Sequence, residues 1–279
     1  MHLAFSTNAF KKYSLEESIR AIANIGYEGV EILGDVPHAY PPLFGEEQIQ
    51  SVKDILIKSK VQISNINAFT LYAIKDTYHP SWIENNYAMR ELRVQHTVNC
   101  LELASKIGSK NISTEAGGPI DRDILDKSEL RKLFVTGLTR AAATAEKEKV
   151  KILIEPEPNL LLENSGQFLE FIKNISSDYV GLNFDIGHFY CMWEDPAKVV
   201  YDLADYTEHF HLADIANDRV HNHLIPGLGS IDFRSVFKAI SEIGYEGFVT
   251  VELYPYQDNP IHAAKLAYQY LSGILNKVG

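Results

Sequence analysis

Four side chains able to grip a divalent cation sit at the ends of apolar runs of strand length. Glu155 follows Lys151-Ile-Leu-Ile, Asp185 follows Gly181-Leu-Asn-Phe, His211 lies within His209-Phe-His-Leu, and Glu252 follows Phe248-Val-Thr-Val. Three carboxylates and one imidazole suit a borderline to hard divalent metal such as manganese, magnesium, cobalt or zinc; softness does not pick one, and manganese is taken as the working choice. Taken singly, each residue has an ordinary role, since an acid at a strand end often caps the next helix and a lone histidine is often structural. Taken together they argue for one metal centre, provided the four runs are neighbouring parallel strands that end on one rim.

The rest of the chain supplies such strands. Runs rich in Val, Ile and Phe read as eight strands: Leu3 to Phe5, Gly29 to Leu33, Gln62 to Ile66, Asn111 to Thr114, Lys151 to Ile154, Val180 to Phe184, Thr207 to Leu212 and Phe248 to Leu253. Eight helical segments alternate with them, beginning near Leu15, Glu46, Tyr87, Ser128, Ser165, Pro196, Phe233 and Pro260. Ser14 and Glu17 make a capping box for the first, and Pro196 suits a first helical turn. This alternation predicts an α/β fold, a (β/α)8 TIM barrel with a parallel eight-stranded sheet and outer helices.

Ile25-Gly-Tyr-Glu-Gly returns as Ile243-Gly-Tyr-Glu-Gly, as expected of two equivalent junctions where a helix stops at glycine and a turn delivers a strand. Three long stretches, Gly34 to Gly45, Ala68 to Asn86 and Ala213 to Ser230, follow strand ends and so belong to the rim where barrel active sites are built. No linker, low-complexity run or charge block divides the sequence, so residues 1–279 read as a single domain.

Composition narrows the function classes. With 46% hydrophobic and 23% charged residues the chain is ordinary for a globular protein, and no apolar run reaches the ~18 residues of a membrane span. A formal charge of −11 argues against broad capture of nucleic acid. No basic, apolar leader is evident at Met1, so the expectation is a cytoplasmic protein, with Cys100 and Cys191 as free thiols.

The motifs Ile154-Glu-Pro-Glu-Pro, Asn183-Phe-Asp-Ile-Gly-His, His209-Phe-His-Leu-Ala-Asp, Pro226-Gly-Leu-Gly-Ser-Ile-Asp-Phe and Val251-Glu together resemble the xylose isomerase-like TIM barrel superfamily over essentially the whole chain. That superfamily includes sugar isomerases, ketose 3-epimerases, inosose dehydratases and apurinic endonucleases. The resemblance implies that Glu155, Asp185, His211 and Glu252 hold one divalent cation, the same four residues that the strand ends select. It also implies that Glu155 and Glu252 are the catalytic pair, taking a proton from one face of a carbon beside a carbonyl and returning one to the other face. A cation on the carbonyl and neighbouring hydroxyl would acidify that proton and stabilise the enediolate.

Further residues are expected to touch substrate. His188 can donate to a substrate oxygen or hydrogen-bond Asp185. Arg219 resembles the family's substrate-orienting arginine, against the alternative of a solvated loop charge. Glu157 either faces the pocket or orients His211. Asn67, Glu115 and Glu31, at other rim ends, can bind hydroxyls, and Phe69, Tyr72, Trp193, Tyr254 and Tyr256 can wall the pocket. His38, His221 and His223 fall on rim loops and outside the ligand set.

The leading expectation is therefore a metal-dependent isomerase or epimerase of a small carbohydrate or cyclitol, more consistent with an unphosphorylated substrate. A lyase on the same scaffold, an inosose dehydratase or a 3-keto-glycoside cleaving enzyme, uses the same residues. An apurinic endonuclease is more distant: Asn65-Ile-Asn-Ala-Phe and Thr114-Glu-Ala-Gly-Gly lack the extra histidines, although Asn217-Asp-Arg-Val-His-Asn-His echoes its late loop. A binding protein without chemistry sits poorly with an intact ligand quartet. No nucleic acid or membrane partner is expected, and a homo-oligomer is compatible with the resemblance.

Overall fold

A short strand buried on both faces needs neighbours for its backbone groups and apolar cover for its side chains. The computed structural model, which describes residues 1–120 and 126–278, meets both needs with a closed barrel. Its strands are β1 (His2–Ser6), β2 (Gly29–Leu33), β3 (Gln62–Asn67), β4 (Asn111–Glu115), β5 (Lys151–Glu155), β6 (Val180–Asp185), β7 (Thr207–Leu212) and β8 (Phe248–Val251). Each pairs in parallel with the next, and β8 returns to β1 with Leu3 opposite Val249. This is the (β/α)8 TIM barrel that the alternation predicts.

Around it lie α1 (Leu15–Ile25), α2 (Glu46–Ser59), α3 (Tyr87–Ile107), α4 (Lys127–Glu148), α5 (Ser165–Ile172), α6 (Ile186–Cys191), α7 (Pro196–Asp202), α8 (Phe233–Glu242) and α9 (Pro260–Val278). The short α6 lies where the sequence suggests only loop. Its cause is local: Asp185 ends β6 and caps α6, accepting from the backbone N–H of His188 at 2.8 Å. On the same rim β8 stops at Val251, short of the expected Leu253, and Glu252 is held just beyond by its N–H donating to Leu212 O at 3.0 Å. Among the described residues no helix is long and apolar enough to cross a membrane.

The period of two along each strand divides the side chains into two environments. Ile152 and Ile154 of β5, Leu182 and Phe184 of β6 and Phe210 of β7 join the apolar layer beneath the helices. The alternate positions fill the barrel with polar groups that are all but sealed from solvent, among them Glu31, Asn65, Ser113, Asn183, His209 and Thr250.

Two details position the rim. The capping box expected at α1 is present, with Glu17 N–H donating to Ser14 Oγ at 3.1 Å and Ser14 N–H to Glu17 Oε2 at 2.9 Å. The long loop between β3 and α3 is anchored from below by Arg93, which is fully buried. Its Nε donates to Pro80 O at 2.7 Å, and its Nη1 donates to Ala68 O at 3.1 Å and Phe69 O at 2.9 Å.

The repeated Ile-Gly-Tyr-Glu-Gly segments are equivalent junctions, with Gly26 and Gly244 ending α1 and α8 at φ of 119° and 72°. Within the first, Gly29 faces the Phe248 ring so closely that an added Cβ would stand 2.5 Å from it and 2.9 Å from Ala4 Cβ. Gly29→Ala is therefore expected to cost about 1–3 kcal/mol through overpacking, read as a lowered thermal midpoint. An unchanged midpoint would mean that the ring yields freely and the close approach carries no constraint.

Candidate metal centre and active site

Glu155 and Asp185 are the last residues of β5 and β6, His211 is the penultimate residue of β7, and Glu252 directly follows β8. Strand neighbours therefore carry their side chains to one point: ligand atoms of the four lie within 4.8 Å of one another, and all four residues are buried. Asp185 Oδ1 is occupied by the α6 cap, whereas its Oδ2 is buried without a hydrogen-bond partner. A buried carboxylate oxygen left without a partner is costly, and a cation would satisfy it. The residues present thus fit a divalent ion, with three oxygen ligands and one nitrogen.

A chain of hydrogen bonds inside the barrel fixes these groups. Burial depresses the His209 pKa to about 3, so the ring is neutral. Its Nδ1 lies 2.8 Å from Asn183 Oδ1 and its Nε2 2.8 Å from Thr250 Oγ1. With Asn183 Oδ1 accepting, the amide Nδ2 of Asn183 is turned upward and donates to Glu155 Oε2 at 2.8 Å. His211 is gripped on both sides, Nδ1 at 2.9 Å from Glu155 Oε1 and Nε2 at 2.5 Å from Glu31 Oε2. Glu31 thus orients the ligand ring from behind, as a carboxylate on the far nitrogen of a metal-binding histidine does. Asn8 and Asn67 both direct their amides at Glu252 Oε1, at 2.8 and 3.1 Å.

Electrostatics follow from crowding acids around few cations. Burial alone would raise the Glu31 and Asp185 carboxyls, but His211 beside the first, and His188, His223 and His211 beside the second, hold both at about 2. Glu252 goes the other way: burial, with Glu155, Glu31 and Asp185 nearby, lifts it to about 8 against the pull of His211. The His211 ring is also burdened by burial, yet Glu155, Glu31 and Glu252 raise it well above the ordinary imidazole range.

Above this centre opens a cavity on the barrel rim. Glu155, Glu252, Asn67, His188 and Glu157 line it. His188 Nδ1 lies 3.0 Å from Pro156 O and its Nε2 lies 3.8 Å from Asp185 Oδ2, so the side chains share no hydrogen bond. Glu157 Oε1 accepts from the Tyr78 hydroxyl at 2.6 Å, and burial raises this carboxyl to about 7. Of the expected aromatic wall, Phe69, Tyr72 and Tyr254 are on the cavity.

Other sequence expectations land elsewhere. Arg219 does not line the cavity with Glu155 and Glu252. Its guanidinium donates to Tyr190 O at 2.8 Å and lies over the Tyr190 and Trp193 rings, beside a neighbouring cleft, because stacking and a carbonyl satisfy it there. Glu115 is fully buried 3.3 Å from Arg93 Nε and has no opening to the cavity; burial pushes its carboxyl up to about 8 against that guanidinium. Trp193 is 76% exposed, Tyr256 lies off the cavity, and His38 bonds Thr7 Oγ1 and Tyr13 O. Cys100 and Cys191 are free and buried.

The cavity residues Asn8, Lys11, Thr70, Thr77, Tyr78 and Gln257 escaped the sequence reading. Asn8 had a weaker signal, since it lies two residues beyond the end of β1 and not at the strand end itself. Tyr78 had none, because its position depends on the path of a long loop. His221 and His223, set apart from the ligand quartet, stand over the cavity with their Nε2 atoms 3.1 Å apart, and with His188 they form a second group whose ligand atoms lie within 4.8 Å. Burial keeps them neutral, His221 at about 2 and His223 at about 4. The loop bearing them is organised by Asp214, which accepts from the backbone N–H groups of Ile215, Gly227, Gly229 and Ile231 at 3.0, 2.8, 2.8 and 3.1 Å.

Comparison with known proteins places this geometry in context. The family described as xylose isomerase-like TIM barrel matches residues 19–272, and the chain belongs to it. An inosose dehydratase of Lacticaseibacillus casei is 28% identical over 199 residues, covering 61% of this chain and 66% of that enzyme, so the matched stretch spans just under two thirds of that relative. A fructoselysine 3-epimerase of Escherichia coli O157:H7 is 23% identical over 282 residues, 99% of this chain and 98% of the other. The solved structure of the IOLI protein with a bound zinc atom has a TM-score of 0.81 at 19% identity, covering 100% and 99% of the two chains, and shares the fold.

Because Glu252 and His211 must lose protons to become ligands, cation binding should release protons and strengthen as pH rises from 6 to 9. Calorimetric titration with Mn²⁺ in buffers of different ionisation enthalpy would count them; affinity flat across that range would contradict the assignment. Asp185→Asn should weaken Mn²⁺ binding by more than about tenfold, the scale at which disturbing a metal's surroundings is felt. Equal affinity would remove Asp185 from the ligand set.

Proposed function

We propose that this member of the xylose isomerase-like TIM barrel family is a metal-dependent isomerase or epimerase of a small carbohydrate or cyclitol, moving a proton at the carbon beside a carbonyl. The observation that carries the reading is the convergence of Glu155, Asp185, His211 and Glu252 on one point, with Glu155 and Glu252 also lining the cavity. Glu155, Asp185, His211 and Glu252 would hold the cation, manganese being the first choice. When bound it would polarise the substrate carbonyl and stabilise negative charge on the neighbouring oxygens.

The chain's own residues then divide the work. Glu252 is buried on the cavity wall and restrained through Oε1 by Asn8 and Asn67, so its carboxylate is held where the reacting carbon would lie. That suits a group that takes a proton and gives it back. Glu155, fixed by Asn183 and His211, is the second carboxylate on the cavity and the partner that returns a proton to the other face. His188, with Nδ1 committed to Pro156 O, presents Nε2 toward the reacting region as a hydrogen-bond partner for a substrate oxygen. Asn67 and Glu157 offer further polar contacts, and Phe69, Tyr72 and Tyr254 exclude water from the apolar faces.

A second reading, a lyase, is favoured by one specific feature. Glu157 is raised to about 7 and tied to Tyr78, so it is an acid able to protonate a departing hydroxyl beside the proton-abstracting pair. An inosose dehydratase is among the relatives. The two readings share proton abstraction and differ in what leaves. With Mn²⁺-loaded protein, ketoses are expected to give epimer or aldose and keto-inositols no loss of water; the reverse would establish the lyase.

Glu252→Gln should lower solvent-deuterium exchange of the substrate proton by about 10²–10⁴-fold, the usual contribution of a general base, while the fold persists. Glu155→Gln is expected to do the same. Exchange at the wild-type rate in either variant would end that residue's role in proton transfer.

A further inference from the structure

A cavity floored by acids is a poor host for an anion unless a cation is built into it, and one is. The first rim segment, Thr7–Phe10, is a 3-10 turn whose C-cap is Lys11. With about three residues per turn, Asn8 and Lys11 share one face. Asn8 reaches down to Glu252 at 2.8 Å, and Lys11 stands one turn further out on the same cavity. Among the described residues it is the sole Lys or Arg lining the cavity, whereas Glu155, Glu157 and Glu252 supply the acids.

Lys11 is held without being neutralised. Its Nζ lies 4.1 Å from the centroid of the Tyr72 ring, a cation–π contact that restrains a flexible stem. The Tyr72 hydroxyl is in turn fixed at 2.7 Å from Thr77 Oγ1, and its backbone N–H donates to Asp35. Among the described residues no carboxylate lies within ion-pair distance of Lys11, while the adjacent Lys12 is paired with Asp258 at 2.5 Å. The ammonium therefore keeps its charge and donors for a ligand. Its neighbours at the mouth, Thr70, Thr77 and Gln257, are neutral.

We propose that Lys11 seats a carboxylate at the end of the substrate remote from the reacting carbonyl, so that the preferred substrate is a keto sugar acid and not a neutral ketose. This deepens the reading under Proposed function and rests on it for the identity of the reacting end. A single ammonium beside the neutral Thr70, Thr77 and Gln257 suits a monoanionic carboxylate, whereas a phosphate dianion calls for several converging donors. The net charge of −11 repels any anion at long range, but screening over about 8 Å leaves the local cation to decide which end of the molecule faces outward.

The test uses Mn²⁺-loaded full-length protein and three sugars sharing one skeleton: D-tagatose, D-tagaturonate, with a carboxylate at the far end, and D-tagatose 6-phosphate. Solvent-deuterium exchange beside the carbonyl gives kcat/KM for each. Wild type is expected to prefer tagaturonate over tagatose, Lys11→Met to cut that preference about tenfold or more through KM, and Lys11→Arg to retain most of it. A preference for tagatose, or a ratio unchanged in Lys11→Met, overturns the proposal. A preference for the 6-phosphate that Lys11→Met abolishes overturns the carboxylate as well. If wild type exchanges none of the sugars, the proton-transfer reading has failed, and calorimetric affinities decide Lys11 separately. Tighter binding of tagaturonate that depends on Lys11 supports the seat, and equal affinities overturn it.

Discussion

Negative charge sealed into the mouth of the barrel is the constraint on which the site depends. Glu31, Glu155, Asp185, Glu157 and Glu252 are all buried there, and His211 and His188 are the groups raised toward the charged state beside them. Removing so many carboxylates from water is unfavourable unless cations and donors replace the lost solvation. Protons go part of the way: burial raises Glu252 and Glu157, whereas Glu31, bonded to His211, and Asp185, which faces His188, His223 and His211 and caps α6, are lowered. The unpartnered Asp185 Oδ2 marks where neither proton nor donor reaches. A divalent cation would resolve this conflict, and the same concentration of charge would make its binding sensitive to pH.

The polar interior of the barrel gives that arrangement its precision. In many barrels this space is filled with branched apolar residues. Here Asn65, Asn111, Ser113, Asn183, His209 and Thr250 are joined in hydrogen bonds that end on Glu31 and Glu155. A fully connected buried network admits few alternative arrangements, so the acids above it are held in place before any ligand arrives. The loops add a second tier of control. Arg93 ties down the segment bearing Phe69 and Tyr78, and Asp214 gathers the loop bearing His221 and His223. Both act on backbone atoms, which lets the cavity side chains vary without loss of the frame.

The four converging positions were legible because strand ends are legible. An apolar run followed by an acid fixes both where a strand stops and what it carries, and in a parallel barrel all such stops share a rim. Glu155, Asp185, His211 and Glu252 needed nothing more. Asn67 was reachable by the same logic, and Asn8 less directly. Arg219 and Glu115 show its limits: rim position brings a residue near the cavity but does not say which way its side chain turns, and a better partner, the Tyr190 carbonyl for one and Arg93 for the other, drew each away. Residues on long loops, Tyr78 and His221 among them, carry no periodicity from which a direction could be read.

What the sequence determined by itself was the alternation of strands and helices, the closed parallel fold and the four residues whose strand-end positions converge, because these follow from local periodicity and a topology with few alternatives. Only the tertiary structure decided that Glu31 backs His211, that Lys11 stands on the cavity with no ion-pair partner among the described residues, and that Arg219 faces another cleft. Those outcomes are set by competition among partners distant in sequence, each within a few ångströms once the barrel closes. No pattern along the chain encodes the result of that competition.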